Sequence, residues 1–146
     1  MAVSTSIGAA VRSVSVVLTA ALTAAACASG GSGGGEPAAP AVLNVAGVYE
    51  GAMNVEGTTI PGTLELVQTG TSIAATFSAP DFGITAEGGG TLTDTLLQLD
   101  LSYNFQCPGQ ATLTGQVAPE TMRYAGELLA SDCTGDVAGD FSFTRR

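Results

Sequence analysis

The chain has 146 residues, and its charged groups are thirteen acids against four basic residues, with no histidine, for a net charge of −9. That balance excludes nucleic-acid binding, which depends on a basic face that neutralises phosphates. It also excludes anchoring by a polybasic patch, while the acidity favours solubility and attracts cations or basic partners.

The first element in chain order is a leader. Residues 1–26 read as a signal peptide: Arg12 supplies a positive flank, and the stretch from Val14 to Leu22 is apolar. That stretch is too short to span a membrane as a helix. Small residues follow, Ala24-Ala25-Ala26, and then Cys27. Ala25, Ala26 and Cys27 resemble the lipobox of bacterial lipoproteins, in which small residues precede a cysteine that becomes the mature N-terminus. The resemblance implies lipidation of Cys27 and an exported product held to the cell envelope by its acyl chains. More than one chain gives stable anchoring, where a single chain binds marginally. Ala28 follows the cysteine in place of the aspartate associated with inner-membrane retention. In a Gram-negative host the resemblance therefore implies the outer membrane.

Residues 27–44 read as a linker. Its Ser29–Gly35 part is glycine and serine alone and predicts a flexible coil, and the following Pro-Ala part is stiffer. Removing leader and linker leaves residues 45–146, enough for one domain with one modest core.

In that domain the pattern changes to period two. From Leu97 to Phe105 every odd-numbered residue is apolar and every even-numbered one polar, the mark of a half-buried strand. Similar alternation runs through Leu64 and Leu66, through Ile73, Ala75 and Phe77, and through Leu113 and Val117. Further runs hold Met122, Tyr124 and Leu128, and then Phe141 and Phe143. Turn chemistry separates them at Thr69-Gly70-Thr71, Ala79–Gly83, Cys107-Pro108-Gly109-Gln110, Ala118–Thr121 and Asp132–Asp136. About eight short strands at regular spacing predict an all-β fold, a small up-and-down antiparallel β-barrel or meander. Gly47, Gly51, Gly62, Gly115, Gly126 and Gly139 fall inside strands, where they permit sharp bending. Gly88-Gly89-Gly90 lacks the Lys-Ser/Thr of a phosphate loop and predicts a bulge or interruption in the fourth strand.

The opening Gly47-Val48-Tyr49-Glu50-Gly51 resembles the Gly-x-aromatic first strand of calycin barrels, the lipocalin and avidin class. Gly139–Arg145 is similar to a last strand that pairs back onto the first. The resemblance implies a barrel that carries a small apolar ligand. Tyr49 stands where tryptophan is usual, and Leu, Phe and Tyr side chains are expected to fill much of an eight-stranded interior.

Three cysteines are present. With Cys27 lipidated, Cys107 and Cys133 form an even pair in an oxidising compartment, so a disulfide is expected. Catalysis is not expected: histidine and lysine are missing, the thiols are otherwise committed, and no acid has an oriented base as partner. No cofactor is implied. Asp132, Asp136 and Asp140 are weak candidates for a metal, because their four-residue spacing differs from the alternate positions of a calcium loop. The leading expectation is a non-enzymatic envelope lipoprotein whose barrel binds an unknown protein or small molecule. The alternatives are a carrier of a small apolar ligand and a protease-inhibitor-like barrel.

Overall fold

The computed structural model describes residues 41–146, so the leader, Cys27 and most of the linker lie outside the described residues. Alternating apolar and polar side chains produce eight antiparallel strands. They are β1 (Gly47–Val55), β2 (Thr58–Thr69), β3 (Ser72–Ala79), β4 (Ile84–Thr93), β5 (Leu96–Phe105), β6 (Cys107–Ala118), β7 (Arg123–Asp132) and β8 (Gly135–Arg145). Each pairs with its neighbour in sequence, and β8 pairs with β1 from Tyr49↔Arg145 to Val55↔Gly139. The sheet is therefore a closed up-and-down barrel without an exposed edge. The meander and the pairing of last strand with first agree with the calycin-like reading.

Period two decides which side chains fill the interior. Tyr49, Leu64, Leu66, Phe77, Leu99, Leu113, Tyr124, Phe141 and Phe143 are all buried. An aromatic cluster sits among them. Phe77 meets Phe143 edge to face with centroids 5.9 Å apart, and Tyr124 lies 4.5 Å from Phe141. The Tyr124 hydroxyl is the polar tip of this core. It lies 3.1 and 3.0 Å from the carbonyl oxygens of Leu97 and Leu113, which share its single proton.

Several inward positions carry no side chain because neighbouring strands come too close. Gly115 and Gly126 face each other across β6 and β7, and a Cβ on either would strike the other strand's backbone. At Gly62 the space above the backbone is filled by the Phe77 ring. The glycine triplet differs from expectation. Gly88, Gly89 and Gly90 keep unbroken register with β3 on one side and β5 on the other, so there is no bulge. A Cβ at Gly88 or Gly90 would run into backbone of β5, so close packing explains these glycines.

Turn placement also corrects the sequence at one hairpin. Cys107-Pro108-Gly109-Gln110 is strand, paired with Ser102–Phe105, and the reversal is made by Gln106 alone at φ 58°. Proline and glycine suggested a turn, but the Tyr103 ring covers Gly109 and the strand continues beneath it. Met122, read as a strand residue, lies in the turn before β7 with φ 49°.

Candidate functional site: an apolar cup at one end of the barrel

Up-and-down topology gives the barrel two ends with different residues. One end holds the β2–β3, β4–β5 and β6–β7 turns and the start of β1. It is sealed. Val45 is fully buried, its N–H donates to Gln68 Oε1 at 2.7 Å, and its carbonyl accepts from the Tyr49 hydroxyl at 2.8 Å. Gln68 Nε2 donates to the Leu43 carbonyl, and Arg145 donates to the carbonyls of Asn44 and Ala46. Leu43 and Asn44, which the sequence grouped with the linker, are thus bonded to the barrel.

The other end holds the β1–β2, β3–β4, β5–β6 and β7–β8 turns and is open. It contains a cavity of about 220 Å³, with Met53, Phe77, Leu101 and Leu128 on its wall. The cavity exists because inward positions at this level of β4, β6 and β7 are Ala86, Ala111 and Ala130, too small to fill it. Large side chains fill the closed end, as expected, and leave the mouth hollow. Phe105 stands half-exposed at the lip.

One carboxylate lines this cup. Asp132 follows Leu128 and Ala130 on the inward face of β7. Its Oδ1 accepts from the backbone N–H and hydroxyl of Thr134, at 2.7 and 2.6 Å, and its Oδ2 from the Tyr103 hydroxyl at 3.1 Å. The Thr134 bonds hold the Asp132 carboxyl below the usual carboxylate range. Desolvation, and then the neighbouring Asp132, raise the Tyr103 phenol above its ordinary value. Donors and acceptor are therefore in their stable forms at neutral pH.

Beside them Cys107 and Cys133 are joined as a disulfide, with Cα atoms 6.3 Å apart. The bond ties the start of β6 to the β7–β8 turn beside it on the rim. The three aspartates do not come together. Asp132 faces the cup, while Asp136 and Asp140 are exposed on the outer face of β8, and Asp140 accepts from Asn54 Nδ2. Four residues of strand separate those two, roughly 13 Å. Among the described residues, the one group with three potential metal-binding atoms close together is Cys107, Asp132 and Cys133. Two of its three atoms are spent in the disulfide, so the donor set does not fit a metal. Cys27 lies outside the described residues.

Sequence reasoning missed Tyr103 and the hollow. Alternation from Leu97 to Phe105 marked Tyr103 as inward, but an inward residue lines a void only if its neighbours are small. That signal was the alanine at inward positions of three adjacent or near-adjacent strands.

The fold and site together define a closed eight-stranded up-and-down barrel with one sealed end and one apolar cup. No protein-family model, curated protein or solved structure matches the chain.

Proposed function

We propose that this chain is an exported, lipid-anchored envelope protein without enzymatic activity, and that its barrel binds a small, largely apolar ligand in the cup. The observation that carries the reading is the 220 Å³ apolar cavity open at one end. An apolar cavity of about 150 Å³ is enough to stay dry and hold benzene, whereas drug-sized ligands need roughly 300 Å³ or more. The cup therefore suits a single ring, a short branched group, or one end of a longer molecule that protrudes from the mouth. The lining offers one carboxylate and one phenol, bonded to each other, and no nucleophile with a base. The lipobox-like Ala25-Ala26-Cys27 supports the envelope location.

Two measurements test this. In the first, 2-phenylethanol is titrated into the purified chain by calorimetry, with Ala111→Leu as the variant that fills the cup. Binding by the parent and a loss of about tenfold or more in the variant are expected, since the added side chain takes the ligand's place. Equal binding by both overturns the cup as the site. In the second, cells are labelled with a radioactive fatty acid. Incorporation is expected in the parent and not in Cys27→Ala, and equal incorporation overturns the anchor.

A further inference from the structure

We infer that the ligand of the cup carries a protonated amine, seated against Asp132 at the rim with its apolar body inside. This rests on the proposed cup as a binding site and names the chemistry of what enters it.

The arginines among the described residues are Arg123, Arg145 and Arg146, at the start of β7 and the end of β8. All three belong to the sealed end, where Arg145 holds the carbonyls of Asn44 and Ala46 and Arg146 pairs with Glu50. The chain has no lysine. At the mouth the turns and strand ends carry Glu56, Asp81, Asp132 and Asp136, all negative and without a cation from the described residues among them. A cleft lined by one sign of charge over low-dielectric walls focuses the field into its opening.

Asp132 differs from the other three. It alone faces the apolar interior, and it is held still by Thr134 and Tyr103. Every one of those donors is neutral, so the bonds fix the carboxylate without cancelling its charge. An anionic ligand, such as a fatty acid, would bring its own carboxylate against this one and be repelled. A neutral apolar ligand would use the cup and gain nothing from Asp132. An ammonium group on an apolar body matches both features: its body fits beside Phe77, Leu101 and Leu128, and its charge meets the one fixed carboxylate of the lining.

The test uses three probes with the same ring: 2-phenylethylammonium, 2-phenylethanol and phenylacetate, titrated into the purified full chain. The ammonium is expected to bind about tenfold tighter than the alcohol, as befits a partly solvated ion pair. Phenylacetate is expected to bind weakest. Asp132→Asn keeps the shape, with its oxygen accepting from Thr134 and its amide N–H donating to the Tyr103 hydroxyl; it should remove the ammonium's advantage and leave the alcohol's affinity within about twofold. The series on the unaltered chain decides the matter even where the variant folds poorly. Equal affinity for all three probes overturns the cationic ligand and leaves the cup standing. Binding of none overturns both.

Discussion

Tyr49, Tyr103 and Tyr124 are the three tyrosines of the chain, and burial raises the pKa of each above 10.0. Burial is the largest cause in every case, because a phenolate loses water wherever protein covers it. Tyr124 is the extreme, shut among Phe141 and the strand carbonyls. The unfolded chain sheds these protons near pH 10, while the fold retains them. Stability from the three phenols is thus complete below that pH and drains as pH rises through their native values. An alkaline titration should show the phenolate absorbance of Tyr124 delayed past pH 10 and then appearing together with loss of near-ultraviolet circular dichroism. Half-ionisation of all three near pH 10 with the fold intact would contradict the burial. Asp132 has the opposite sign. Its lowered value contributes stability that is complete above 3.8 and lost as pH falls below it, so Asp132→Asn should soften acid unfolding.

Strands are set by two kinds of glycine, and substitution separates them. Gly115 has backbone φ that any residue adopts, yet its Cβ would collide with Ala125 and Gly126 across the ladder. Gly57 has open space around it but sits at φ +80°, next to Glu56 at φ 49°, in the two-residue β1–β2 hairpin. Gly115→Ala should therefore cost about 2–3 kcal/mol, because rigid backbone must move. Gly57→Ala should cost about 1–2 kcal/mol, the penalty of a left-handed backbone. Denaturant midpoints would rank them, and the reverse order would mean that β6 and β7 can spread. The same distinction explains what could be read from the chain. Period two from Leu97 to Phe105 gave away β5, since one face is core and the other is water. Cys107-Pro108-Gly109 misled, because a proline and a glycine carry turn chemistry whether or not an aromatic ring on the next strand holds them flat. The Gly88–Gly90 run misled for a related reason: its purpose is to make room for the β5 backbone, and nothing local records how near another strand will come. The cup was least legible. Ala86, Ala111 and Ala130 lie far apart in sequence, and they meet at one level only after the registers of the β4–β5, β5–β6 and β6–β7 pairs have been fixed.

Closure is a property of the whole barrel, since β1 and β8 meet across nearly the full length of the domain. A small domain of this kind buries limited surface, which makes a covalent link valuable. The Cys107–Cys133 bond spans 26 residues, and in the chain-entropy view such a loop is worth about 3.5 kcal/mol. Replacing both cysteines with serine should lower the unfolding free energy by about that amount. A drop below about 1 kcal/mol would mean that the mouth is held by its strand pairing alone. The sealed end has its own fastening, and this has a mechanical side. Gln68 and Arg145 grip the segment ahead of β1 from β2 and β8, the two strands that flank it. Traction on the chain before Leu43 would reach those side chains first and divide between them. The load would then drag three strands lengthwise together instead of peeling one from its neighbours, so a pull on the linker works against the barrel's strongest direction.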